Sequence, residues 1–196
     1  MRIGIEINGV LRDTLKKIQQ EYEKWYIDNP FQEEDEFEYE VLSDVTSLDI
    51  GKHLKFKDDN ELYDFLYKEH TMEIFGHAGS VEPSGLLDLN DFYIDMRDNH
   101  DIIVVSDEIG KSKPASLFFI SKFGCLVESV KFYSESTINS LWDSIDILLT
   151  ANPKLLLNHP KNKILIKFNT VYNSEIESEF NISSLKELKS KLEEIL

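Results

Sequence analysis

Short apolar runs and amphipathic segments alternate along this chain. Residues 102–105 read Ile-Ile-Val-Val between polar ends, whereas Leu15, Ile18, Tyr22 and Trp25 recur at helical spacing. Apolar runs of this length are typical of strands that are buried on both faces. Such strands in alternation with helices predict an α/β fold, a Rossmann-like parallel sheet with helices on both faces. The predicted strands are 2–8, 101–106, 127–133, 145–149 and 164–168, and the predicted helices between or after them cover 86–98, 114–123, 138–142 and 153–157.

Local signals fix where some of these elements begin and end. Gly9 permits a turn after the first strand, and Asp13 is a suitable N-cap for the helix that follows. Gly124 closes a later helix. Ser184-Leu185-Lys186-Glu187 has the form of a capping box and opens a last helix. The spacing directs an apolar face of that helix inward; its residues are Leu185, Leu188, Leu192 and Ile195.

Residues 30–85 interrupt the strand–helix rhythm. Asn29-Pro30 ends the first helix, and a helix over 59–75 carries Leu62, Phe65 and Leu66 on one face. We therefore predict a core of residues 1–29 and 86–196 and an inserted, mostly helical cap of residues 30–85 that covers the strand ends. The acidic run at 33–40 lacks the central glycine of an EF-hand loop, so it is interpreted as a solvated loop.

Charge restricts the classes of partner. The formal net charge is −16, and such a surface disfavours nucleic acid and anionic membrane. We therefore expect neither as a partner, whereas a protein partner remains possible on this charge.

No apolar run approaches the length of a membrane span and the N-terminus does not resemble a signal peptide, so a cytoplasmic location is expected. The one cysteine, Cys125, excludes an internal disulfide and is interpreted as a buried structural thiol.

Ligands of parallel α/β sheets bind beyond the carboxyl ends of the strands. Four segments are expected there: Glu6–Asn8, Ser106–Glu108, Ser134–Glu135 and Thr150–Asn152. Two alternatives follow from these residue types. Ser106 could bind an anion, or Glu6 and Asn8 could bind a cation together with Asp107 or Asp146. The five histidines are scattered and are interpreted as surface or loop residues.

Four segments resemble the signatures of the haloacid dehalogenase (HAD) superfamily. Residues 6–13, Glu-Ile-Asn-Gly-Val-Leu-Arg-Asp, resemble the first signature, Asp-x-Asp-Gly-Val-Leu-x-Asp. Residues 104–106 resemble the second signature, and residues 146–154 the fourth. Residues 163–173 are similar to a strand and loop of the 5'(3')-deoxyribonucleotidase branch. The resemblance implies a phosphatase fold with an aspartate nucleophile, an aspartate general acid, a phosphate-binding serine and a magnesium site.

The departures from those signatures fall on the residues that carry the chemistry. Glu6 replaces the nucleophile, and its extra methylene displaces the attacking oxygen. Asn8 replaces the general acid and cannot exchange a proton. Thr150 and Ala151 replace the magnesium carboxylates, and no lysine occupies the third signature. Among the chemically active positions, Ser106 alone keeps its family residue type. We therefore predict no catalytic residues, no cofactor and a lost magnesium site, with Glu6, Asn8 and Ser106 as candidates for ligand binding.

These substitutions predict a catalytically inactive HAD-like protein that serves as a binding, structural or accessory module. Degenerate nucleotidase-like chains resemble accessory proteins of tailed bacteriophages, which would place this protein in the host cytoplasm or the virion. One alternative is a protein that binds nucleotides or sugar phosphates. Another is a HAD-type phosphatase or 5'-nucleotidase with unusual residues.

Overall fold

The computed structural model describes residues 1–30 and 37–196. Its centre is a six-stranded, wholly parallel sheet with the strand order β3-β2-β1-β4-β5-β6. The strands are β1 Arg2–Glu6, β2 Asp101–Asp107, β3 Ser129–Tyr133, β4 Ile147–Thr150, β5 Ile164–Phe168 and β6 Phe180–Ile182. The predicted α/β fold class is confirmed.

Helices follow most of the strands. The α-helices are α1 Thr14–Tyr22, α2 Asp59–Asp64, α3 Gly85–Met96, α4 Ser112–Lys122, α5 Ile138–Ser144, α6 Pro153–Leu157 and α7 Leu188–Ile195. π-Helical turns extend α1 over Glu23–Ile27 and α2 over Phe65–Glu69, and another covers Met72–Gly76. Single 3-10 turns cover Ile50–Lys52, Glu135–Thr137, Val171–Asn173 and Leu185–Glu187. Within the described residues, no helix has both the length and the apolar character needed to cross a membrane.

Apolar clusters cover both faces of the sheet. One face packs residues such as Ile5 and Val104 against Leu89 of α3 and Leu192 of α7. The other face packs Leu148 and Leu165 against Leu141 and Trp142 of α5, with Leu155 of α6. Because both faces of the sheet are covered by apolar clusters, successive strand residues that point to opposite faces can all be apolar, which explains the predicted apolar runs.

A third cluster lies in the segment between β1 and α3. Phe65, Ile74 and Leu54 pack with Ile18 and Tyr22 of α1. The two ends of this segment lie beside each other. Asp13 N–H donates to Gly79 C=O at 3.0 Å, and Val81 N–H donates to Leu11 C=O at 3.1 Å. The domain boundaries at residues 30 and 85 stay predictions. The predicted loop at 33–40 lies partly outside the described residues, which exclude 31–36.

One local prediction at the end of the chain is wrong, and one short strand there was not predicted. Glu187 does not complete a capping box with Ser184, because its carboxylate accepts the N–H of Ser183 at 3.0 Å. Ser184 itself accepts the N–H of Lys186 at 3.4 Å, and a 3-10 turn precedes helix α7. The short strand β6 was not predicted, because only its ends, Phe180 and Ile182, are apolar.

Candidate functional site

A cleft of about 800 Å³ lies beyond the carboxyl ends of β1, β2 and β4. Its floor includes Glu6, Asn8 and Asp107, and its opposite wall includes Ile50, Leu66, Tyr67 and Phe75 of the inserted segment. The strand order reverses at β1, since the chain leaves it for β2 on one side and later adds β4 on the other. Such a switch point is the usual position of a ligand site in this fold class.

Glu6 ends strand β1 and is 1% exposed at the cleft floor. Its Oε1 accepts a hydrogen bond from the Tyr133 hydroxyl at 2.6 Å, and its Oε2 accepts one from the Thr150 hydroxyl. Burial raises the pKa of Glu6 to about 7, and these two hydrogen bonds oppose the rise only in part. Burial, followed by the charge of Glu6, raises the pKa of Tyr133 well above its ordinary value, so that its hydroxyl stays a donor. Glu6 is therefore a carboxyl group held between two hydroxyls.

The turn after β1 depends on Gly9. Gly9 has a φ of +76°, and a Cβ there would lie 1.8 Å from the Tyr172 hydroxyl oxygen. Both facts require glycine. The turn is closed by Gly9 N–H donating to Arg12 C=O at 2.9 Å and by Arg12 N–H donating to Ile7 C=O at 2.8 Å. It directs Asn8 into the cleft and Arg12 into the protein.

Arg12 is wholly buried and uses all five of its N–H donors. Nε donates to the Thr14 hydroxyl at 3.1 Å, and Nη1 donates to Phe75 C=O and to the Ser116 hydroxyl, both at 2.6 Å. Nη2 donates to Asn8 Oδ1 at 2.6 Å and to Glu108 Oε1 at 2.5 Å. Burial lowers the pKa of Arg12, and the charge of Glu108 counters this effect. Arg12 and Glu108 thus form a fully desolvated ion pair.

Ser106 and Asn8 belong to the same network. The Ser106 hydroxyl, 0% exposed, donates to Glu108 Oε1 at 3.1 Å and accepts from Asn8 Nδ2 at 3.3 Å. Asn8 Oδ1 also accepts the Thr14 hydroxyl at 2.7 Å. Among the predicted ligand residues, Glu6 and Asn8 line the cleft, whereas Ser106 lies behind it.

The residues at the end of β4 do not suit the magnesium ion that the HAD signatures imply. Thr150 donates its hydroxyl proton to Glu6 and accepts the N–H of Asn152 at 2.9 Å. Ala151 is buried and offers only a methyl group as a side chain. A hard cation needs oxygen ligands with free lone pairs. This donor set therefore does not fit magnesium.

The open part of the cleft is acidic. Asp13, Asp49 and Asp107 line it, and the only lysine or arginine on the described wall is Lys154, which is paired with Glu135 at 2.9 Å. Burial, then the charges of Glu108 and Glu135, raise the pKa of Asp107 to about 6. An anionic ligand would meet net negative charge here.

The structure overturns one sequence interpretation and adds two residues. Asp146 cannot share a cation with Glu6, because it precedes β4 at the opposite end of the sheet and binds Arg2 at 2.6 Å. Glu108 and Tyr133 were missed as site residues. Glu108 had been assigned only to a strand-end segment, and Tyr133 had the pattern of a core aromatic. Their separation from Arg12 and Glu6 by about a hundred residues leaves no local spacing signal.

Comparison with known proteins identifies the fold. No protein-family model and no curated protein matches this sequence. Among solved structures, the chain is similar to a protein named as a haloacid dehalogenase-like hydrolase from Burkholderia xenovorans LB400, with a TM-score of 0.60 and 9% identity over 99% of this chain and 97% of that one.

The protein therefore has a HAD-like α/β fold. At this identity the likeness concerns the fold alone. The 5'(3')-deoxyribonucleotidase branch and the loss of the catalytic signatures stay predictions.

Proposed function

We propose that this protein is a HAD-like domain that does not catalyse phosphoryl transfer and serves as a binding or structural module. The observation that carries the proposal is the state of Glu6. Both of its oxygens accept hydrogen bonds from buried hydroxyls, and burial shifts its pKa to about 7. A carboxyl group that is about half protonated at pH 7, with both oxygens already accepting hydrogen bonds, is a poor nucleophile.

The group that should serve as general acid is also unsuitable. The Asn8 amide does not ionise near neutral pH, so it cannot act as a general acid. Its amide is bound on both sides, since Oδ1 accepts from Arg12 and Thr14 while Nδ2 donates towards Ser106 and Glu108. Neither attack on phosphorus nor protonation of a leaving group then has a residue to perform it.

The charge of the cleft disfavours the alternative of a nucleotide or sugar-phosphate binder. Phosphate recognition relies on cationic or N–H donors that face the ligand. Here Arg12 is buried and fully used, Lys154 is paired with Glu135, and Asp13 and Asp107 face the cleft. A role as an accessory module with a protein partner fits these features better, and an origin in a tailed bacteriophage belongs to the same proposal.

A turnover assay tests this proposal. The purified protein is incubated with p-nitrophenyl phosphate and a panel of nucleoside monophosphates at millimolar magnesium, across pH 5 to 9. We expect release of phosphate at the rate of the buffer blank at every pH. Turnover that disappears in the Glu6→Gln variant, while the Glu135→Gln variant keeps it, would make Glu6 a working nucleophile and end the proposal.

A further inference from the structure

Four hydrogen-bond donors converge on a single carboxylate oxygen behind the cleft. Glu108 Oε1 accepts from Arg12 Nη2 at 2.5 Å, Ser116 Oγ at 2.8 Å, Ser106 Oγ at 3.1 Å and Asn8 Nδ2 at 3.4 Å. Its other oxygen, Oε2, is buried and has no hydrogen-bond partner among the described residues. The donors are therefore arranged around one point in space, and the glutamate supplies one oxygen at that point.

The chemistry of these donors is that of an oxyanion site. A guanidinium, two hydroxyls and an amide N–H₂ are the groups that proteins direct at carboxylates and phosphates, and ionised donors or acceptors make such bonds stronger. The donors come from three separate parts of the fold: the turn after β1, strand β2 and helix α4. Three of the four are held by packing, since Arg12, Ser106 and Ser116 are all 0% exposed, whereas Asn8 is half-buried at the cleft floor.

We propose that Arg12, Asn8, Ser106 and Ser116 form an oxyanion-binding site that the chain's own Glu108 carboxylate occupies as an intramolecular ligand. The inference deepens the proposed function and rests on it, because an occupied site explains how the fold keeps an anion pocket without taking an external phosphate. The tethered carboxylate competes at an effective concentration that is roughly millimolar or higher. It also repels any second anion.

The internal anion also connects the sheet to the inserted segment. While Glu108 neutralises Nη2 of Arg12, Nη1 donates to the Phe75 carbonyl at 2.6 Å. The Arg12 guanidinium also lies 5.1 Å from the centre of the Phe75 ring. Removal of the Glu108 carboxylate should therefore both open an anion site and loosen the attachment of the segment around Phe75.

Chemical rescue tests this inference. Glu108→Ala deletes a methylene and a carboxylate, which together match an acetate ion. We expect the thermal midpoint of this variant to fall by roughly 10 °C, because a buried guanidinium loses its counter-ion. Sodium acetate or formate, added at about ten times its dissociation constant, should return about 3 to 6 °C relative to sodium chloride at equal ionic strength. The unmodified protein should respond to the three salts alike.

Three variants serve as controls. Glu108→Gln keeps the volume filled, so it should not respond to acetate. Arg12→Met combined with Glu108→Ala leaves the same cavity without the cation, so it should not respond either. Glu135→Ala removes an exposed carboxylate that is paired with Lys154, and should match the unmodified protein. Inorganic phosphate, tested beside acetate, shows whether the opened site takes the larger anion; rescue by either supports the proposal.

If Glu108→Ala does not fold in chloride, refolding in acetate becomes the measurement, and recovery of folded protein in acetate alone supports the proposal. An equal response of Glu108→Ala to all salts, or the same acetate response in the double variant, would overturn it. Those outcomes leave the absence of turnover untouched. Turnover by the unmodified protein would overturn the proposed function, even if rescue succeeded.

Discussion

Two buried carboxyl groups at the ends of adjacent strands are stabilised by opposite means. Glu6 at the end of β1 accepts hydrogen bonds from the hydroxyls of Tyr133 and Thr150. Glu108, just after β2, meets a guanidinium at 2.5 Å. Both are 1% exposed. A buried carboxyl must either take a proton or take a counter-ion, and this fold uses one solution for each.

The difference teaches how each residue can be perturbed. The stability that Glu6 contributes depends on pH, because its charge is removed by a proton. The stability that Glu108 contributes depends on Arg12, because its charge is balanced by a side chain. The first should respond to titration and the second to mutation.

The largest effect is expected from breaking the ion pair on its cationic side. Arg12→Met leaves the buried Glu108 carboxylate without a counter-ion, so the free energy of unfolding should fall by about 3 to 5 kcal/mol. Urea denaturation at pH 7 measures this fall. Adding Glu108→Gln should recover about half of it, since the buried charge is gone and Ser106 and Ser116 keep an acceptor. Equal stabilities of the Arg12→Met variant and the double variant would contradict the expected penalty of an unpaired buried carboxylate at Glu108.

The second effect concerns Glu6 and its pKa of about 7, raised by burial from an ordinary value of 4.5. Folding takes up a proton between these two values. The contribution of Glu6 is therefore fully present below pH 4.5 and is lost as the pH rises through 7. Glu6→Gln removes this loss and should stabilise the protein by about 2 to 3 kcal/mol at pH 8.

The control for that prediction is the same variant at low pH. At pH 4.5 a protonated glutamate and a glutamine are nearly equivalent, so urea denaturation should give stabilities within about 0.5 kcal/mol of each other. A gain that is equal at pH 4.5 and pH 8 would contradict the raised pKa and attribute the effect to packing.

The smallest effect is expected at the surface ion pair between Arg2 and Asp146, which contrasts with the buried pair between Arg12 and Glu108. Asp146 pairs with Arg2 at 2.6 Å, but the two side chains are 31% and 40% exposed. The hydrogen bond from Arg2 lowers the pKa of Asp146 to about 2, so its contribution is present above pH 4 and lost as the pH falls through 2. Solvent screening reduces that contribution, and Asp146→Asn should cost about 0.5 to 1 kcal/mol at pH 7. A cost equal to that of Arg12→Met would remove the distinction between the two environments.

Most of the sheet could be predicted from the sequence because its strands are short segments rich in branched and aromatic apolar residues. Ile102, Val104 and Val105 of β2 are buried, and so are Leu165, Ile166 and Phe168 of β5. Strands that are covered on both faces have this composition. Strand β6 was not predicted, because its middle residue, Asn181, is polar and exposed, and the strand has only two apolar positions. The spacing of Leu185, Leu188 and Leu192 correctly predicted the buried face of the last helix.

The site could be predicted only at the ends of the strands. The signatures located Glu6, Asn8 and Thr150, because strand ends and turns leave local marks such as Gly9. No local sequence pattern indicates the Arg12–Glu108 ion pair. Charged residues are ordinarily solvated, and only the fold brings side chains 96 positions apart to within 2.5 Å.

Magnesium binding tests the central claim that this cleft no longer performs phosphoryl transfer. Magnesium chloride is titrated calorimetrically into the unmodified protein at pH 7.5, with Glu6→Gln as the matched control and with the variant Glu6→Asp, Asn8→Asp, Thr150→Asp, Ala151→Asp alongside. We expect no saturable heat up to millimolar magnesium in the unmodified protein, because Thr150 and Ala151 offer no carboxylate. The fourfold variant should gain a site if the backbone geometry still suits one. A saturable magnesium site in the unmodified protein that Glu6→Gln abolishes would contradict the account.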